Sequence, residues 1–513
     1  MSKKQIVNII NFLRGVEPRC ETDLVKPMVE QLRLMKKYNL RGTFLVQYDA
    51  LIDKRFTEVL KEADKSRIEI GVWFEVVQPL CEKAGFEWTG RYPWDWHVHC
   101  GFSVGYNKKE REKLVDILFE DFKAVFGYYP KSFGSWAFDA HTLNYASEKY
   151  GLDAACNCKD QWGTDGYTMW GGYYNQAYYP SKMNSFTPAQ NVQNQINTPI
   201  FRMLGSDPIY QYDAGVDINN ECSTGVQGVV SLEPVYPQAG GSKKWVDWYF
   251  KENFSCNSLA FSYTQAGQEN SFGWEDMSEG LEYQFKKIAD MEKHGQVEAL
   301  TLGDSGRWYK NSFETTPPTT VAALSDWQNE GRSSVWYNCK NYRINLYTER
   351  GKFWIRDIYL FREDYEEIYM SEVAKGNELI YDNLPFVDGN RFCGKNLRSG
   401  MFFMDDGGDL SGTKYSDVCY GEHNGTAVVT YKGTVFGDVV ITMCEQGINI
   451  KTQKPFKLCN RYDENAQGLP KMIAAGNRIN LTHSGYDYTI LLRGGAAQGC
   501  YITPENTELS LNF

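Results

Sequence analysis

Over its first 300 residues the chain switches repeatedly between the hydrophobic period of a strand and that of a helix, and few folds accommodate such alternation. Residues 5–13 (Gln-Ile-Val-Asn-Ile-Ile-Asn-Phe-Leu) make an apolar run of strand length. Apolar positions at Leu24, Val25, Met28, Leu32 and Met35 then recur at helical spacing through 23–38. Strands are expected again over 42–48 and 68–75, with a short helix over 55–64 between them. An aromatic excursion (79–106) precedes a helix over 108–126, which Gly127 and Pro130 end. Further strands are expected at 132–139, 153–158, 201–204, 228–233 and 258–263, with helices near 243–254 and 275–294. Seven or eight such units imply an α/β fold closed into a TIM-like (β/α) barrel rather than an open sheet.

Around residues 311–333 the texture changes. Glu-Thr-Thr-Pro-Pro-Thr-Thr (314–320) marks a boundary, helical patterns nearly vanish, and short alternating strands follow from Ser333. The expected division is a catalytic (β/α) barrel at 1–315 and a β-sandwich at 316–513.

The net charge of −11 argues against a broad phosphate-binding surface, and so against a nucleic-acid partner. No apolar run reaches transmembrane length, and Met-Ser-Lys-Lys-Gln-Ile-Val enters the first strand pattern without the apolar region of a signal peptide. A cytoplasmic location with no membrane partner is therefore expected, and the 13 cysteines read as reduced thiols. A homo-oligomer remains open. Aromatic content is the unusual figure, at 15% with 34 Tyr and 14 Trp, many beside Gly, Asn, Asp or Gln, as in Trp-Gly-Gly-Tyr-Tyr-Asn (170–175). Flat rings beside amides and carboxylates suit a carbohydrate partner, whose C–H faces stack while its hydroxyls hydrogen-bond. Most of these rings are expected simply to fill the barrel and its loops.

A parallel barrel carries its site at the carboxyl ends of its strands. The first expected strand is followed by Arg14, Glu17 and Arg19, the second by Gln47 and Asp49, and the third by Trp73 and Glu75. Trp136, Asp139 and His141 follow the fourth, Gln161, Trp162 and Asp165 the fifth, and Arg202 and Asp207 flank the sixth. Glu233 and the run Gln265–Glu269 follow the last two. Glycoside hydrolysis usually needs two carboxyl groups, and Glu17 with Glu75, or either with Asp139, is the expected pairing. Arg14, Arg19 and Arg202 suit an anionic sugar carboxylate through bidentate contacts, or else internal salt bridges with Glu17 or Asp207. Substrate contacts are expected from Arg14, Gln47, Asp49, Trp73, Trp96, His97, Trp136, Gln161, Trp162, Arg202 and Asp207.

Histidine narrows the choice, since there are only six. His97 and His141 each follow an aspartate by two residues, in Asp95-Trp-His97 and Asp139-Ala-His141, so a carboxylate–imidazole pair is available for general acid–base work near neutral pH. The rival use of His97, Asp139 and His141 is to hold a divalent metal with one open position. No cofactor is the expectation.

Two stretches carry a resemblance to a known family: Asn-Phe-Leu-Arg-Gly-Val-Glu-Pro-Arg (11–19), and Lys-Lys-Tyr-Asn-Leu-Arg-Gly-Thr-Phe-Leu-Val (36–46). They resemble the opening of the glycoside hydrolase/deacetylase superfamily, which implies a (β/α) barrel and carbohydrate substrates. Polysaccharide deacetylases of that superfamily carry an Asp pair after the first strand and a His-x₃₋₄-His metal motif. Arg14 and Glu17 stand here instead, and no such histidine spacing exists. The layout is also similar to inverting sialidases of glycoside hydrolase family 156, which pair an acidic residue after strand one with a histidine after strand four; Glu17 and His141 occupy comparable places. The expected activity is removal of a terminal sugar by carboxylate and histidine acid–base catalysis. A metal-dependent carbohydrate deacetylase and a non-catalytic sugar-binding protein are the alternatives.

Overall fold

The computed structural model describes residues 3–214, 227–255, 258–404, 408 and 410–513. The chain is a mixed α/β protein whose first half is organised around β1 (Lys4–Leu13), buried from Ile6 onward on both faces. Such a run lacks polar alternation because both sides of the strand are covered. β2 (Gly42–Val46), β3 (Ile68–Trp73), β4 (Ser132–Gly134) and β5 (Ala154–Asn157) follow in parallel, then β6 (Ile200–Arg202). β7 (Phe261–Ala266) returns to the other side of β1, where Lys4–Ile9 pairs with it in parallel. Asn8 is buried within β1, and its amide donates to the Leu300 carbonyl at 2.8 Å and to Ser305 at 2.7 Å. Those bonds help dock β8 (Glu298–Leu300), a strand absent from the sequence expectations, onto β1.

Helices cover the outside. α1 (Val25–Tyr38) buries Met28, Leu34 and Met35 and packs against α5 (Trp274–Lys293). Each such apolar side chain contributes about 1.5–3 kcal/mol when fully buried. α2 (Lys108–Phe126) begins with a reciprocal capping box between Asn107 and Glu110 and stops at Gly127, whose φ of +85° favours glycine. α3 (Ala140–Tyr150) and α4 (Lys243–Asn253) complete the helices used below.

The sheet is nearly closed rather than closed, which corrects the expectation of a complete TIM-like barrel. The free edge of β6 is taken by Ala177–Tyr178, an antiparallel strand from the long aromatic loop. Side chains span the remaining seam: Gln265 accepts from the Leu204 amide at 2.7 Å, and Gln176 donates to the Tyr263 carbonyl at 3.4 Å. The strand expected at 228–233 is not formed either. That segment is a loop, held beside the chain after β6 by an isolated bridge between Ser206 and Ser231 and by the Leu232 amide on the Leu204 carbonyl.

From Thr319 onward the chain builds a large antiparallel sheet, sandwich-like and folded on itself through extra pairings such as Gly400–Met404 with Lys457–Arg461. Alternate residues of Thr426–Thr434 and Gly437–Cys444 are buried against a core that includes Tyr337, Ile344 and Phe353. Several contacts tie the second half of the chain to the first, such as Trp336 Nε1 donating to the Pro208 carbonyl at 3.0 Å. Leu379–Asp382 adds a parallel strand to the hairpin of Gln161–Thr164 and Tyr167–Trp170. Asp160, just after β5, accepts from Arg202 at 2.6 Å and also from Arg343 of the sheet, whose other side holds Asp357 at 2.8 Å.

Candidate active site

A cavity of about 390 Å³ opens beyond the carboxyl ends of β1, β5 and β7, near the small end of the range for ligand sites. Arg14 leaves β1 buried, with its guanidinium 4.0 Å over the Trp94 ring. Nη2 donates to both oxygens of Glu75, at 3.2 and 3.4 Å, while Nη1 donates to Glu269 at 3.2 Å. Trp94 Nε1 also donates to Glu75, at 2.6 Å. One guanidinium is therefore shared by two buried carboxyl groups.

Glu269 reaches this position because of Gly267. With φ at +105°, a Cβ there would lie 2.2 Å from the Ile10 carbonyl oxygen, so glycine alone lets the chain cross β1 closely. Ser271 donates its hydroxyl to Glu269. Burial pushes the Glu269 carboxyl above its ordinary range, against the pull of Arg14.

Glu233 comes from the loop after β6. The Leu232 amide bonds the Leu204 carbonyl at 2.9 Å, and Ser231 donates to Glu233 at 2.9 Å. Burial raises this carboxyl too, with the Lys159 ammonium acting against the rise. Lys159 follows β5, is 1% exposed, and lines the cavity. Its neighbour Asp160 is committed to Arg202 and Arg343. Among the described residues, Lys159 makes no hydrogen bond or contact ion pair.

Trp94, Trp96, Trp136, Tyr167 and Tyr236 supply the aromatic walls. Trp136 is held edge-on by Trp73 at 5.6 Å, and Trp73 stacks on Phe12 at 4.0 Å. At the rim, Arg19 grips Glu17 through Nε at 2.8 Å and Nη2 at 2.7 Å. Burial opposes ionisation of Glu17, but the Arg19 hydrogen bonds prevail and its carboxyl sits below the ordinary range.

The structure brings Arg14, Glu17, Trp96, Trp136 and Gln161 to this cavity, with Glu75 behind Arg14 and Trp73 behind Trp136. Asp49 lies deeper, its carboxyl pushed up to about 6 by burial. Gln47 is fully buried, with neither amide atom hydrogen-bonded. The remaining expected residues are placed elsewhere. Asp139 caps α3, accepting from the Thr142 amide at 2.8 Å, and pairs with Arg111 at 2.9 Å. His141 points to Glu112 of α2 at 2.9 Å, so the expected Asp139–His141 pair is not made. His97 lies 3.9 Å from Asp95 and packs beside Trp96. Trp162 lies under Arg391 of the second sheet, and Arg202 is consumed by Asp160. Asp207 accepts from Trp245 at 2.8 Å and Trp327 at 3.1 Å, two structural bonds that hold α4 and the chain near residue 327.

The described side chains do not fit the metal that a deacetylase needs. His97, Asp139 and His141 have separate partners, and among the described residues no three His, Cys, Asp or Glu side chains gather to hold an ion. Sequence reasoning noticed Glu233 and Glu269 as residues following strands but preferred residues near histidine. Lys159 escaped it altogether, because the alternation that turns Lys159 and Asp160 to opposite sides becomes visible only once the arginine partners of Asp160 are placed.

Residues 106–319 match the family model of a domain of unknown function, DUF3863. No curated protein matches the sequence. Among solved structures, the chain is similar to a candidate glycoside hydrolase/deacetylase from Parabacteroides distasonis, at 13% identity and a TM-score of 0.52, over 75% of this chain and 89% of that one. A candidate polysaccharide deacetylase from Mycobacterium smegmatis (13% identity, 61% of this chain, 92% of that one) and Puue allantoinase (12%, 61% and 93%) both score 0.37. At 13% identity the first likeness is one of fold alone. Among the described residues no helix is long and apolar enough to cross a membrane.

Proposed function

We propose that this cavity hydrolyses a glycosidic bond at the end of a small carbohydrate, with Glu233 and Glu269 as its acid–base carboxyl pair. One observation carries the reading: two carboxyl groups from different barrel loops face a single small aromatic-walled cavity, and burial pushes both toward the protonated form. A carboxyl so raised donates a proton to the departing glycosidic oxygen. Its ionised partner then takes a proton from water or attacks the anomeric carbon, according to their separation. Arg14 holds Glu269 in place while tying it to Glu75. Trp96, Trp136 and Tyr236 offer flat faces to the C–H side of a sugar ring. The fold likeness to a candidate glycoside hydrolase/deacetylase is consistent with this reading.

The test is a panel of chromogenic glycosides and acetylated sugars, with wild type, Glu233→Gln and Glu269→Gln. Release of the chromophore from a glycoside, reduced in each folded variant by about two to four orders of magnitude, is the expected result. Release of acetate with every glycosidic bond left intact would overturn the proposal in favour of a deacetylase.

A further inference from the structure

The charges bordering the cavity are unequally committed. Three cations line it: Arg14, Arg19 and Lys159. Arg14 is divided between Glu75 and Glu269, and Arg19 is taken by both oxygens of Glu17. Lys159 is buried, yet among the described residues no group accepts its hydrogen bonds. Its ammonium lines the cavity, so its three donors turn to whatever fills that space, water or ligand.

The nature of that acceptor follows from what faces Lys159. Glu233 feels its charge directly, and Glu269 and the carboxylate Asp165 share the cavity lining with it, with the Ser231 hydroxyl on Glu233 and the Tyr236 ring facing all three carboxyls. Lys159 and Glu233 influence each other electrostatically but stand beyond ion-pair contact. A carboxylate or phosphate on the ligand satisfies Lys159 only by approaching those acidic groups, with no uncommitted cation left to offset them. A sugar hydroxyl has no such conflict, because it accepts from an ammonium while donating to a carboxylate. We infer that the cavity selects a neutral sugar, one of whose hydroxyls bridges Lys159 and Glu233, and that it rejects sugar acids. This inference rests on the cavity being the sugar site proposed above. It departs from the sialidase-like expectation, whose substrates carry a carboxylate.

Binding can be read without turnover, since Trp94, Trp96 and Trp136 line the cavity and their fluorescence reports its occupancy. The probes are methyl glucoside and methyl galactoside, the matching methyl glucuronide and galacturonide, and N-acetylneuraminic acid, titrated into the full-length protein. At least one neutral glycoside should bind, with its uronate counterpart about tenfold or more weaker. Lys159→Met should weaken the neutral ligand by a similar factor, and Glu233→Gln should narrow the gap between uronate and neutral sugar. The Lys159→Met protein should stay folded, with an unfolding midpoint near that of wild type, because among the described residues Lys159 makes no hydrogen bond or contact ion pair to lose. Equal or tighter binding of a sugar acid, unchanged affinity in Lys159→Met, or failure of every probe to bind would each overturn the inference. Its fate is separable from that of the proposed hydrolysis. Cleavage with a preference for sugar acids sinks only the inference, whereas neutral-sugar binding without any cleavage sinks only the hydrolysis.

Discussion

Two buried clusters in this molecule share one design, a guanidinium set between two carboxyl groups. In the first, Arg14 serves Glu75 and Glu269. In the second, Arg111 pairs with Asp139, and Glu367 lies close enough for both to act on its charge. Both oxygens of Asp139 are occupied, one by Arg111 and the Thr142 amide, the other by the Ser103 and Thr142 hydroxyls. Glu367 accepts from the amides of Ala140 and Ser185, each at 2.9 Å. Burial, with Asp139 adding to it, pushes the Glu367 carboxyl up to about 8. Yet none of Arg111, Asp139 and Glu367 lines the cavity that Arg14 and Glu269 face. Perturbed charge alone therefore does not distinguish the two clusters; room for a ligand beside it does.

Substitution separates the two clusters most sharply. Glu269→Gln or Glu233→Gln should lower kcat by about two to four orders of magnitude with the fold retained. Asp139→Asn and His141→Ala, measured under the same conditions as folded protein, should stay within about tenfold of wild type, the span over which general acid–base catalysis is not implicated. A collapse of turnover in His141→Ala would erase the distinction.

Stability should show the reverse ordering. Asp139→Asn leaves Arg111 as a buried cation short of its partner, at a cost of about 3–5 kcal/mol in denaturant unfolding. Glu367 gives the second cluster its own pH signature. Its folded pKa, about 8, lies above the ordinary carboxyl value, so the folded state binds the proton more tightly. The associated stability is fully present below about pH 4.5 and is lost as pH rises toward 8. Thermal midpoints of Glu367→Gln between pH 5 and 8 should accordingly fall less with pH than those of wild type; parallel curves would show that Glu367 stays ionised. His141→Ala should cost less than about 1 kcal/mol, because its partner Glu112 is a third exposed. The smallest effect is expected from exhaustive chelation, which should leave glycoside turnover unchanged. Loss of turnover, restored by added Zn²⁺, would return the cavity to the metal-dependent class.

The alternation of strand and helix was legible because it rests on local periodicity: β1, α1, α2 and α5 fall within a few residues of their expected places. The seam beside β6 was not legible, since it depends on Ala177–Tyr178 folding back from a loop with no strand pattern of its own. Asp139-Ala-His141-Thr142 misled for a local reason. An aspartate three residues before a threonine amide is also a helix N-cap, and capping α3 takes up the side chain that the acid–base reading needed. Arg14, Glu17, Trp96, Trp136 and Gln161 line one cavity because proximity to a strand end is encoded in sequence order. The convergence of Lys159, Glu233 and Glu269 on that cavity was not legible, because it depends on which carboxylates the arginines claim.

Leu379–Asp382 completes the hairpin formed by Gln161–Thr164 and Tyr167–Trp170. That hairpin contributes Gln161, Thr164 and Tyr167 to the cavity wall. The third strand of this small sheet is synthesised more than 200 residues after the second. At about 5–20 residues per second, the ribosome delivers it roughly 10–40 s later. During that interval the nascent barrel carries an unpaired strand edge at its mouth, the kind of exposed ladder that chaperones cover. Completion of the cavity is thus timed by the arrival of the second half of the chain, and a translational pause between residues 170 and 379 would prolong the interval in which the unfinished mouth is open to wrong partners.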